Sequence, residues 1–156
     1  MKAISLKELK TEISTLSHPQ VLDLCMHLAK YKKENKELLT YLLFEAHDET
    51  SYISKAKTQI TELFNDVNKS TLYLAKKTIR KILRTTNKYI KYSGLKHTEV
   101  ELLIFFCKQL KKSGLPLHAN TVLGNIYLRQ IQRINKALAS LHEDLQYDYA
   151  VEMKSL

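Results

Sequence analysis

Nine basic side chains fall between Val67 and Thr98 with no acidic residue among them. They are Lys69, Lys76, Lys77, Arg80, Lys81, Arg84, Lys88, Lys91 and Lys96. Clustered cations of this kind neutralise phosphate or carboxylate groups. Arginine offers paired N–H donors to an oxyanion, and lysine acts as a point charge. The formal net charge is +9, and the other 16 basic residues are matched by 16 acidic ones. The stretch 67–98 therefore holds the whole imbalance.

The same stretch has helical periodicity, and its faces follow from about 100° per residue. With Lys76 at zero, Lys69, Arg80, Lys91, Arg84, Lys77, Lys88 and Lys81 fall between about 20° and 140°. Leu72, Ala75, Ile79, Ile82, Leu83, Thr86, Tyr89 and Ile90 fall between about 220° and 340°. The arcs do not overlap, so a helix over 69–93 has one apolar and one cationic face. From Lys69 to Lys91 that face spans about 33 Å at 1.5 Å per residue. Tyr73 lies inside the basic arc and Tyr92 at its edge, where each could stack on a base.

Like charges at i,i+4 spacing destabilise a helix by a few tenths of a kcal/mol per pair. Interleaved glutamates would remove that cost, and their absence points to an acidic partner. Nucleic-acid phosphate is the commonest such partner. Backbone contacts alone would give sequence-independent, strongly salt-sensitive binding. Two other readings stand beside this one. The face is solvated or neutralised within the fold, for instance by Glu143, Asp144 and Asp148, or it docks an acidic protein. A membrane surface fits less well, because the apolar face is committed to the core and lacks flanking Trp or Phe.

No other constellation carries chemistry. There is no Walker loop, G-x-G-x-x-G, H-E-x-x-H or G-x-S-x-G. His18, His27, His47, His97, His118 and His142 are scattered. His47 with Asp48 and Glu49 reads as a polar helix boundary, since consecutive helical residues point apart. Cys25 and Cys107 sit in apolar helical contexts and read as small buried hydrophobes. No metal, cofactor or catalytic residue is expected.

The elements that position the basic face are helices throughout. Three Gly and two Pro in 156 residues leave few turns for a sandwich or barrel. Ser5 with Glu8 reads as a capping box that opens the first helix, and Ser17 caps the second, with Pro19 tolerated in its first turn. Lys30–Lys36 reads as a polar connection, and Leu38, Leu39, Leu42, Leu43 and Ala46 mark a third helix. Asp48 to Ser51 offers caps for a fourth. Asn68 caps the long basic helix, which Gly94 ends. Thr98 with Glu101 reads as a capping box for a sixth, closed by Gly114 and Pro116. Its Leu102, Leu103, Ile104, Phe105 and Phe106 cover nearly all faces, so it belongs in the middle of the core. A last helix starts near Asn120 and runs past Leu141. Its stripe is Tyr127, Ile131, Ile134, Leu138, Leu141 and Leu145.

The expected fold is all-α, with six to seven antiparallel helices in a HEAT-like helical-hairpin stack or an irregular bundle. One domain spans 1–146, and 147–156 is a frayed tail. The longest apolar run, Leu102 to Cys107, is too short to cross a membrane. The charged N-terminal stretch does not resemble a signal peptide, so a cytoplasmic location is expected.

Lys55-Ala56-Lys57 with Phe64, Ala75-Lys76-Lys77 with Ile79, and Glu99 through Phe106 carry a resemblance. In their order they resemble small uncharacterised bacterial all-helical proteins, over about two-thirds of the chain. The resemblance implies a helical fold and no particular activity. A looser similarity to HEAT-like modules is one of fold, and some of those bind DNA on a basic concave face. The expected function is a non-enzymatic module that binds nucleic acid or another polyanion through the 69–93 helix. The alternative is a protein-interaction scaffold.

Overall fold

Leu102, Leu103 and Phe106 have no exposed surface, and Val100, Cys107 and Leu110 are equally buried on the same helix, α6 (Lys96–Lys112). A helix that is apolar all round is stable only when surrounded. In the computed structural model, which describes residues 2–156, α6 is packed by α4 (Glu49–Asn65), α5 (Leu72–Ser93) and α7 (Val122–Leu138). The central position expected for the apolar helix is the one it occupies. Among the described residues there is no strand, and none of the helices is long and apolar enough to cross a membrane.

The chain forms two compact units, Met1–Phe44 and Glu45–Leu156. The first holds α1 (Leu6–Ser14), α2 (His18–Tyr31) and α3 (Lys33–Thr40). The expected Ser5–Glu8 capping box forms, and Ser17, expected to cap α2, does so together with Gln20. The Ser5 N–H donates to Glu8 Oε2 at 2.8 Å, and the Ser17 N–H donates to Gln20 Oε1 at 2.9 Å. The connection expected over Lys30–Lys36 shrinks to Lys32, whose backbone is extended (φ −141°, ψ 143°). Asn35 Nδ2 closes that break by donating to the Leu28 carbonyl at 2.8 Å. A single π-helical turn, Tyr41–Glu45, follows α3. None of α1, α2 or α3 contains a fully buried residue.

The second unit is built around α6. Asp48 caps α4 by accepting from the Ser51 N–H at 3.0 Å. Thr71, not Asn68, caps α5, because its Oγ1 accepts from the Leu74 N–H at 3.2 Å. Asn68 instead holds the preceding turn, accepting from the Ser70 N–H at 2.8 Å. The helix expected over 69–93 is therefore 72–93, and Lys69 sits on the loop before it. Gly94, in the left-handed region at φ 70°, ends α5 as expected. Only Leu95 then separates it from α6, so Thr98 is already inside α6 and makes no capping box. Its hydroxyl donates instead to Glu49 Oε1 on α4, and Glu101 pairs with Lys57 at 2.9 Å.

Two further expectations change. The last helix breaks at Ala139–Ser140, where the Ser140 hydroxyl donates to the Ala137 carbonyl at 2.7 Å. A separate α8 (Glu143–Met153) follows. The stretch read as a tail is thus mostly helical, with Tyr149 buried and Leu156 packed on the core. The described residues hold eight α-helices, one more than the expected range. The apolar stripe Tyr127 to Leu145 crosses the break intact, since all six residues lie in or against the core. The second difference is the arrangement. Of the two arrangements left open, a HEAT-like stack or an irregular bundle, the stack would set hairpins side by side, whereas in the second unit α6 is packed by α4, α5 and α7.

Candidate nucleic-acid interface

The cationic face forms because α5 has somewhere to put its other face. Ala75, Ile79, Ile82, Thr86 and Ile90 are buried where α5 meets α4 and α6. Thr86 returns its hydroxyl hydrogen to the Ile82 carbonyl at 3.0 Å, so the one polar group in this row is satisfied. With that row fixed inside, the basic residues are turned outward. Lys77, Arg80, Lys81, Arg84 and Lys91 are exposed, and Lys76 and Lys88 are half-buried. Lys69 is exposed on the loop.

Among the described residues, Lys69, Lys76, Lys77, Arg80, Lys81, Arg84 and Lys91 have no carboxylate within ion-pair distance. Some basic residues elsewhere are paired. Lys55 meets Glu45 at 2.8 Å, Lys57 meets Glu101 at 2.9 Å, and Lys108 meets Glu152 at 2.6 Å. The acidic residues that could have neutralised the face from within, Glu143, Asp144 and Asp148, lie on α8, which packs against α7. Asp144 is paired with His142 at 3.2 Å.

A groove of about 750 Å³ runs between α5 and α7. Lys76, Lys77, Arg80 and Arg84 form its α5 wall, and Asn125 and Arg129 face them from α7. Leu83, Val122 and Ile126 give it an apolar floor, continuous with the core through Leu83 and Ile126. Tyr73, in the first turn of α5, also lines it and is 74% exposed. Lys81, Lys88 and Lys91 do not. Tyr92 lies outside the groove too and is half-buried, with Lys88 Nζ 5.9 Å from its ring centre.

Arg129 is a cation that reasoning on α5 alone does not reach. Val122, Asn125, Ile126 and Arg129 are spaced three, one and three apart, so they share one face of α7. That spacing is visible in sequence. Its nearness to α5 is not, because it depends on both helices resting on α6.

A polar brace holds the two walls at one end. Arg133 on α7 donates to Glu99 Oε1 on α6 at 2.8 Å and to Asn87 Oδ1 on α5 at 2.7 Å. It also reaches Gln130 Oε1 at 3.2 Å. Lys96 holds the other Glu99 oxygen at 2.7 Å. Burial works to raise the Glu99 pKa, but hydrogen bonds and charge from Lys96 and Arg133 outweigh it and hold the carboxyl below its usual value. The brace thus uses its own acid for its own cations and leaves the groove uniformly positive.

Nothing in the described residues groups three or more His, Cys, Asp or Glu side chains at a metal-binding distance. Cys107 is fully buried, and burial pushes its thiol up to about 12. Comparison with protein-family models, curated proteins and solved structures finds no match for the chain.

Proposed function

We propose that this protein is a non-enzymatic module that binds polyanions, nucleic-acid phosphate foremost, through the cationic face of α5. The observation that carries the reading is that Lys76, Lys77, Arg80, Lys81, Arg84 and Lys91 share one face of α5 with no carboxylate among the described residues within ion-pair distance. Leaving them unpaired costs the free protein repulsion energy, which a bound polyanion would remove. Phosphate-backbone contact implies little sequence preference and a steep fall of affinity with salt.

The test is fluorescence anisotropy with labelled DNA and RNA at about 50 and 200 mM salt, the range over which phosphate-driven binding collapses. Binding at the low salt, lost at the high salt and lost in Arg80→Glu/Arg84→Glu, supports the reading. No binding at the low salt sinks it.

A second reading, a protein-interaction scaffold, draws on the first unit. Leu6, Leu22, Leu28 and Tyr31 on α1 and α2 leave large apolar surfaces exposed. A protein partner retained after nuclease treatment would favour it.

A further inference from the structure

The groove between α5 and α7 has a lining that a cationic helix alone would not need. Its walls carry Lys76, Arg80, Arg84 and Arg129, and its floor is Leu83 and Ile126. A duplex shows a protein its phosphates and the edges of its bases, with the base faces stacked inside. It would rest across the basic face and leave the floor empty. A single strand exposes phosphates and base faces together, and proteins that bind it pair a positive groove with apolar or aromatic surfaces for the bases. The volume of about 750 Å³ lies in the range of small-ligand pockets, roughly 300–1,000 Å³. That admits a base with its phosphate.

From this we infer that the α5–α7 groove is a single-stranded nucleic-acid site. Arg80, Arg84 and Arg129 hold the phosphates from both sides, Leu83 and Ile126 support a base, and Tyr73 stacks on its neighbour. The inference rests on the polyanion-binding reading and sharpens it, because the two make different demands on named residues. If charge on α5 is all that matters, Lys81 and Lys91 count as much as Arg80, and α7 counts for nothing. If the groove is the site, Arg129 and Tyr73 matter, while Lys81 and Lys91, which lie outside it, matter little.

The experiment compares a labelled oligo(dT) with a blunt duplex of equal length at about 50 mM salt, low enough to retain weak phosphate contacts. The proteins are the full chain, Arg129→Glu, Tyr73→Ala and the double variant Lys81→Glu/Lys91→Glu. All four altered residues are exposed, so each variant should keep its circular dichroism and melting temperature. The expected result is tighter binding of the single strand. Arg129→Glu and Tyr73→Ala should each weaken it about tenfold, the scale of one lost stacking or charge-assisted contact. The Lys81/Lys91 variant should change it by less than either. Equal binding of both nucleic acids, with Arg129→Glu and Tyr73→Ala silent, overturns the groove site and leaves the polyanion reading standing. Binding of neither at low salt removes both.

Discussion

Arg133 on α7 lies 2.8 Å from Glu99 on α6 and, through its other nitrogen, 2.7 Å from Asn87 on α5. One guanidinium therefore ties α7 to both α5 and α6. Lysine cannot reproduce two directed bonds from one planar group. Arg133→Ala should lower stability by about 1–3 kcal/mol, the range for hydrogen bonds to charged partners. Arg133→Lys should recover only part of it. Urea unfolding followed by circular dichroism measures both, and an unchanged midpoint for Arg133→Ala would show that the brace contributes nothing.

The same brace sets an acid limit. The Glu99 carboxyl is held below its ordinary value of 4.5 in the folded protein. A depressed carboxylate stabilises the fold above the unfolded pKa, and that contribution is lost as pH falls through the folded value. Stability should therefore fall with acid from about pH 4.5 downward. Glu99→Gln should be less stable near neutrality and should fall less steeply over that window. Parallel acid dependences in the two proteins would remove Glu99 from the account.

Salt should act on this protein in two opposed ways. The pairs Lys76–Arg80, Lys77–Lys81 and Arg80–Arg84 set like charges at i,i+4 on α5. Each costs a few tenths of a kcal/mol, and salt screens that cost. Raising salt should raise the melting temperature of the free protein while weakening the nucleic-acid binding proposed for it. A melting temperature that falls with salt would mean the face is neutralised after all.

Gly124 is buried in the first turn of α7, where a Cβ would overlap the His118 carbonyl oxygen. The obstacle is backbone, so it cannot swing aside. Gly124→Ala should cost roughly 1–3 kcal/mol, as overpacking does. It should also weaken groove binding, since Val122, Asn125 and Ile126 flank it. Thermal melting and the anisotropy assay read the two effects. Full retention of both would show that the loop yields freely.

Cys107 should resist thiol reagents in the folded protein, because its surface is fully buried and its thiolate is disfavoured. The contrast is its rate of modification before and after addition of denaturant. Fast modification without denaturant would mean that α6 opens readily.

How much of this was legible beforehand follows a physical line. The basic face could be read because an amphipathic helix writes its burial into a short window, and Ile79, Ile82, Thr86 and Ile90 are buried where the arithmetic put them. The central place of α6 was legible for the same reason. Thr98 misled because a capping pattern is local, while the start of α6 is fixed by how tightly Gly94 turns the chain. The break after Leu138 was hidden because the apolar stripe runs through it without a change of phase. Arg129 was out of reach for a different reason. It joins the site only through two helices that sit on a third, and no window of sequence contains that.

The burial of α5's inner face has one more consequence, which concerns what the helix is prevented from doing. Cut free of α4 and α6, the segment Leu72–Ser93 would present Ile79, Ile82 and Ile90 on one side and its cations on the other. That is the make-up of a peptide that lies on anionic lipid. In the folded protein the greasy side is occupied, and only the charged side is on offer. Proteolytic release of this segment would not yield a smaller version of the same surface. It would yield a peptide with an apolar and a cationic side both exposed. The helices packed on α5 thus do more than hold it in place: they decide which of its two sides meets the solvent.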